Sequence, residues 1–200
     1  MYIKTFRMEP LGVNSHLAWI PDGRAVVVDC GGEPEMVLRE IAKRRLVLTA
    51  VLLTHLHFDH MLGARRLAEL SGAPVLGPAA DLFLLGAQAA ALGLTDLPSG
   101  RHVFLDEPCL VLPVPGHTPG HLVYFFPKSL TAFTGDSLFA GSVGRTDGPR
   151  GDAGALLASI RDRLLTLPEA VELFPGHGPS TTVGREKATN PFFTSPGLPL

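Results

Sequence analysis

Cysteine is scarce in this chain, which carries only Cys30 and Cys109. They form no CxxC pair, and that excludes a structural zinc knuckle and a dithiol redox motif. Spacing does not forbid a disulfide between them, but two reduced thiols in a cytoplasmic chain is the simpler expectation. An excess of charge is also lacking: the formal net charge is −2, and no cationic run is longer than Lys43-Arg44-Arg45. Without a basic footprint, no nucleic-acid partner is expected. Those three cations suit the last turn of a helix. Long apolar runs are missing too. Residues 82–94 come nearest, but Gly86 and Gln88 interrupt them and they are too short to span a bilayer. The opening Met1-Tyr2-Ile3-Lys4-Thr5-Phe6 lacks the apolar core of a signal peptide. A soluble cytoplasmic protein with no membrane partner is the expectation. Asparagine is nearly absent while proline is plentiful, at 18 residues. Loops stiffened this way suit a thermophile, although genomic base composition gives the same bias.

What is present suffices for one sizeable core: 200 residues, 46% of them apolar, read as a single domain over 1–200. Residues 3–8, 15–20 and 25–28 read as strands, with Pro21-Asp22-Gly23-Arg24 as a turn. Asp29-Cys30-Gly31-Gly32 ends the third strand, and Glu33-Pro34-Glu35 opens a helix whose stripe is Val37, Leu38, Ile41 and Ala42. A buried strand at 50–53, a helix over 61–70, a short strand at 74–76, a helix over 81–92 and a loop over 94–101 follow. Two hairpins are predicted next. The first joins 102–105 to 109–114 through Asp106-Glu107-Pro108; the second joins 122–126 to 130–134 through Pro127-Lys128-Ser129. An amphipathic helix over 153–167, a strand at 171–174, a short helix near 185–188 and a loose tail at 194–200 complete the reading. The order is β-rich, α/β, β-rich, α/β, as a duplicated half with strands inside and helices outside would give.

The stretch Thr54-His55-Leu56-His57-Phe58-Asp59-His60 concentrates the chemistry. It lies where the strand Ala50-Val51-Leu52-Leu53 meets a helix, the edge on which α/β proteins build sites. In extended chain, residues i and i+2 point the same way, so His55 and His57 can reach one point. Asp59 and His60 come one step later and can face a neighbouring point. That suffices for two metal positions, and imidazole with carboxylate suits zinc, iron(II) or manganese. Isolated histidines are usually surface polar residues. Four potential ligands within six residues are much rarer by chance.

Three later segments repeat the pattern, each placing His or Asp and glycine just past an apolar run. They are Pro115-Gly116-His117-Thr118-Pro119-Gly120-His121, Thr134-Gly135-Asp136 and Pro175-Gly176-His177-Gly178. Of eight histidines, only His16 and His102 lie outside these motifs, and both read as ordinary.

The set THLHFDH, PGHTPGH, TGDSLFAGSVGRTD and PGHG, in that order, resembles the metallo-β-lactamase superfamily. It most resembles the glyoxalase II-like branch, the hydroxyacylglutathione hydrolases, and the resemblance covers nearly the whole chain. It implies an α/β fold, a four-layer αβ/βα sandwich. It further implies that His55, His57 and His117 hold one divalent metal and that Asp59, His60 and His177 hold a second. Asp136 would bridge the two, and Asp59 and Asp136 would be the catalytic carboxylates. The metals would be zinc, iron or manganese, with a water or hydroxide between them. An open position of that kind marks catalytic metal. Such a hydroxide would attack a thioester carbonyl, and a thiolate leaves without a dedicated general acid.

Other roles stay open. His121 reads as a supporting group and not a ligand. Asp29 either orients His55 or His57 or caps the next helix. Arg145 and Thr146 either meet an anionic substrate end or brace their loop. Full-length glyoxalase II proteins add a C-terminal helical extension that contacts glutathione. The chain reads as a short form without it, and its tyrosines are only Tyr2 and Tyr124. A mononuclear-iron persulfide dioxygenase would read HTDG where His117-Thr118-Pro119-Gly120 stands. A lactonase would not usually continue into GDSLFAGSVGRTD, a β-lactamase usually has cysteine at Asp136, and a nuclease would want a basic surface. A non-catalytic binding module would have lost ligands, and all seven are present. The expected activity is metal-dependent thioester hydrolysis of a small molecule such as S-lactoylglutathione. The sequence does not fix the oligomeric state.

Overall fold

The computed structural model describes residues 1–195. The first strands are β1 (Tyr2–Met8), β2 (Val13–Trp19) and β3 (Arg24–Val28), followed by α1 (Glu35–Arg44), β4 (Val47–Leu52), α2 (Phe58–Met61), α3 (Ala64–Ser71) and β5 (Val75–Gly77). A 3-10 stretch at Ala79–Gln88 leads into α4 (Ala89–Leu92) and β6 (Leu94–Asp96). Then come β7 (Gly100–Phe104), β8 (Glu107–Pro113), β9 (Leu122–Phe126), β10 (Thr131–Gly135), β11 (Leu138–Phe139) and β12 (Ser142–Val143). The last elements are α5 (Ala153–Ser159) with a π turn at Ile160–Leu164, β13 (Glu172–Pro175), β14 (Thr181–Thr182), α6 (Val183–Thr189) and α7 (Pro191–Thr194). Of the predicted tail, Thr194 belongs to α7, and 196–200 lie outside the described residues. The chain divides into two compact units: Met1–Pro98 with Val103–Glu107, and Ser99–His102 with the chain from Pro108.

The first unit carries a six-stranded sheet in the order β1-β2-β3-β4-β5-β6. The pairs β1–β2 and β2–β3 are antiparallel, and β3 to β6 run parallel. Parallel strands are covered on both faces, which is why Ala25–Val28 and Ala50–Leu53 read as unbroken apolar runs and are buried throughout. The core gathers Leu17, Val27, Val51 and Leu53 from the sheet with Val37, Ala64 and Leu67 from the helices. Helix α1 ends as its sequence predicts, with Lys43 and Arg44 in the last turn and Arg45 left-handed at the C-cap.

The second sheet has the order β14-β13-β10-β9-β8-β7. Its strands β8, β9 and β10 form an antiparallel meander, and β13 joins β10 in parallel. Leu156, Ile160 and Leu164 recur every fourth residue and pack with Val114, Val123, Ala132 and Leu173.

Several local expectations change. The predicted helix over 61–70 begins at Phe58 and breaks before Ala64, because the Gly63 N–H turns to the Cys30 carbonyl at 2.8 Å. The predicted helix over 81–92 is mostly 3-10, interrupted at Gly86 (φ 50°, ψ −126°). The predicted loop over 94–101 contains β6, which lies parallel to β5 at the sheet edge. The first hairpin turns at Leu105 and Asp106, both left-handed as a two-residue primed turn requires. The two-residue strands β11, β12 and β14 are too short for any alternation to show. Both cysteines are buried thiols, and burial pushes the Cys30 thiol up to about 12.

Candidate metal centre

The first unit carries four of the candidate ligands, His55, His57, Asp59 and His60. Strand β4 gives out after Leu52, and Thr54 to His57 cross to α2, whose first turn holds Asp59 and whose end holds His60. The His55 ring meets the His57 ring edge-on at 4.8 Å between centroids and the His60 ring at 4.1 Å. His60 therefore stands as near to His55 as His57 does, although the strand period alone paired only 55 with 57. His60 Nε2 lies 3.9 Å from Asp59 Oδ2.

Asp29 organises this half. It follows β3 in a left-handed conformation, φ 54°. Its Oδ1 accepts the Thr54 N–H at 2.8 Å, and its Oδ2 accepts both the Thr54 hydroxyl at 2.9 Å and His60 Nδ1 at 2.8 Å. It does not cap α1, which starts from Pro34 with no side-chain bond. Thr54 has spent its proton on Asp29, so at 3.1 Å its Oγ1 accepts from His55 Nδ1. One carboxylate thus sets the tautomer of two histidines, directly at His60 and through Thr54 at His55. Both are left with an Nε2 lone pair free of the ring proton, the form that binds metal.

The second unit carries His117, Asp136 and His177. His117 sits in the turn after β8, buried, with Nδ1 2.8 Å from the Arg145 carbonyl oxygen. A carbonyl only accepts, so Nδ1 carries the proton and Nε2 the lone pair. Asp136 follows β10. In the parallel β10–β13 register Gly135 stands opposite Pro175, and the Gly176 N–H bonds to the Gly135 carbonyl at 2.9 Å. Adjacent strand ends therefore bring Asp136 and His177 together. Asp136 Oδ2 lies 3.6 Å from His117 Nε2 and 3.7 Å from His177 Nε2. These separations are long for hydrogen bonds and suit groups around shared cations at about 2.1 Å from each donor. The imidazole and carboxylate donors thus fit divalent zinc, iron or manganese.

His121 spends its Nε2 accepting the Asp136 backbone N–H at 3.1 Å. It braces the acid and has no lone pair left for a cation. The Arg145 side chain is exposed and lies 3.7 Å from Asp147; Thr146 is half-buried. What the sequence did not reveal is that Arg145 acts on His117 through its main chain. Gly144 packs so closely that an added Cβ would lie 1.8 Å from the Asp136 carbonyl oxygen. His16, outside the motifs, is buried on β2 beside Thr5, 2.9 Å from its hydroxyl.

Two mixed sheets flanked by helices, with histidines and aspartates at their strand ends, define an α/β metallo-hydrolase. A sequence profile of the metallo-β-lactamase superfamily matches residues 8–177, and the chain belongs to that superfamily. It is similar to the hydroxyacylglutathione hydrolase GloC of Haemophilus influenzae, 39% identical over 197 residues, covering 91% of this chain and 93% of that one. Among solved structures, it resembles TTHA1623 in a di-iron-bound form (TM-score 0.83, 40% identity, 96% of this chain and 100% of that one). It also resembles the BLEG-1 B3 metallo-β-lactamase (TM-score 0.88, 32% identity, 97% of this chain and 100% of that one). The fold class and glyoxalase II-like character expected from the motifs agree with these likenesses. Among the described residues no helix is long and apolar enough to cross a membrane.

Proposed function

We propose that the chain hydrolyses thioesters, S-lactoylglutathione or a related acyl-thioester, with two divalent cations held by histidine and aspartate side chains. His55, His57 and His117 take one cation and Asp59, His60 and His177 the other, and Asp136 is common to both, as the family resemblance implies. The observation that carries this reading is the fixed ring orientation of His55, His60 and His117. Each has its Nδ1 committed to a neighbour, which puts the ring's lone pair on Nε2. The likeness to the Haemophilus influenzae hydroxyacylglutathione hydrolase supports the substrate class, and the di-iron relative supports a binuclear centre.

Bound divalent cations would polarise the substrate carbonyl and lower the pKa of a water from ~16 toward ~7. The chain's own residues set the stage. Asp29 and the Arg145 carbonyl keep three imidazoles in their ligating form. His121 holds the Asp136 main chain, so that its carboxylate stays between His117 and His177. Asp59 and Asp136 leave a site with two dications still net positive, which favours an oxyanion. The exposed Arg145 guanidinium, with Thr146, receives the anionic end of the substrate. The leaving thiolate needs no proton from the protein at neutral pH.

A second reading, β-lactam ring opening, draws on the likeness to the BLEG-1 enzyme. Metal analysis with a turnover panel of S-D-lactoylglutathione, glutathione persulfide, homoserine lactone and nitrocefin separates the possibilities. Two metals per chain and preferred thioester turnover are expected. One iron with oxygen uptake on persulfide, lactone turnover alone or nitrocefin turnover alone would each replace the reading. A protein that takes up no metal and turns over nothing would be a binding module.

A further inference from the structure

Glu186 is a fully buried carboxylate. Its Oε1 accepts the Thr181 hydroxyl at 2.5 Å; its Oε2 accepts the Gly141 N–H and the Asn190 amide, each at 2.8 Å. The same Asn190 amide nitrogen donates to the Ser142 carbonyl at 3.1 Å, while Asn190 Oδ1 accepts the Phe192 N–H at the start of α7. Glu186 and Asn190 lie one turn apart, on α6 and just past its end, and grip the tip of the β11–β12 hairpin at Gly141 and Ser142. Burying a carboxylate is costly, and an interior anchor for a surface hairpin could be made from neutral groups alone.

The hairpin connects two parts of the candidate site. Before it stands Asp136. After it, Gly144 donates to the Ser137 carbonyl at 3.1 Å and lies against the Asp136 carbonyl, with its Cβ direction 3.4 Å from His117 Nδ1. Arg145 follows and offers its carbonyl to that same Nδ1. A shift of the hairpin tip would therefore displace both the main chain of Asp136 and the acceptor that fixes the His117 tautomer.

We propose that Glu186, with Asn190, is a positioning residue for the metal centre, acting through the β11–β12 hairpin on His117 and Asp136. It rests on the reading that these side chains bind metal, and it adds residues that touch neither metal nor substrate. Two variants test it. Glu186→Ala removes the anchor. Glu186→Gln keeps an oxygen for Gly141 and Asn190 while its NH2 faces Thr181, whose hydroxyl can turn to accept. Zinc affinity is measured by chelator competition. The Nδ1–H signal of His117 is measured by 15N NMR on the metal-free protein.

Glu186→Ala is expected to weaken zinc binding by about 10-fold or more and to mix the His117 tautomers, while Glu186→Gln restores both. If Glu186→Ala does not fold, Asn190→Ser serves, because serine still caps α7 but lacks the donor to Ser142. Unchanged zinc affinity and an unchanged His117 signal, with only a lower melting temperature, would overturn the proposal. Wild-type protein that binds no zinc would instead overturn the metal-centre reading, whatever the NMR shows.

Discussion

At the scale of single residues, the histidines matter less for their number than for what holds their far nitrogens. Thr54 shows this well, because its hydroxyl stands between Asp29 and His55 and passes on one orientation. Thr54→Val keeps the shape and deletes the relay. The expected result is about 10-fold weaker metal binding in chelator competition, with Thr54→Ser close to wild type. Asp136→Ala removes the carboxylate that faces both His117 and His177. Thioester turnover should fall by about 100-fold or more while circular dichroism stays native, since losing a ligand exceeds the effect of losing its support. Near-normal turnover would refute the shared-ligand role. The ligand candidates were legible in the sequence because His55 to His60 crowd together just past an apolar run, and His117, Asp136 and His177 each follow an apolar run beside glycine. The relay and the Arg145 carbonyl were not. A hydroxyl's partner is set by tertiary packing, and a main-chain oxygen leaves no mark in the residue code.

At the scale of elements, β1 and α1 are tied by charge. Lys4 Nζ reaches Glu40 Oε2 at 2.6 Å, Arg44 binds the other oxygen, and the Arg44 guanidinium also covers Trp19 at 4.6 Å. The Lys4 hydrogen bond first, and Arg44 second, hold the Glu40 carboxyl below its ordinary value of 4.5. A carboxyl with a depressed folded value stabilises the fold above its unfolded pKa and ceases to as pH falls through the folded one. Glu40→Gln should therefore lower the melting temperature at pH 7, and the difference should close as the pH falls through the depressed value of the Glu40 carboxyl. A gap of constant size across that range would show that the charge is not involved. Element prediction succeeded where runs were long, as for β4 and α1. It failed at β6, at the Gly63 break and at β11 and β12, where main-chain bonds to distant segments decide the conformation within two or three residues.

At the scale of the whole molecule, metal should be part of the stability of the fold as well as of its chemistry. Ligands that bind only the native state raise its melting temperature by mass action. Stripping the protein with a chelator should abolish thioester turnover and lower the melting temperature, and zinc, iron or manganese should restore both. Unaltered melting after complete removal would contradict it. The parallel pairing of β10 with β13 carries a further consequence. It places Asp136 and His177 side by side although α5 and the π turn intervene in the chain. A cation gripped by both would act as a removable stitch across a long excursion of polypeptide, one whose closure is entropically costly. Its departure should then be gated by the fraying of that excursion, so that release in a chelator becomes slower in any variant that makes α5 harder to unzip.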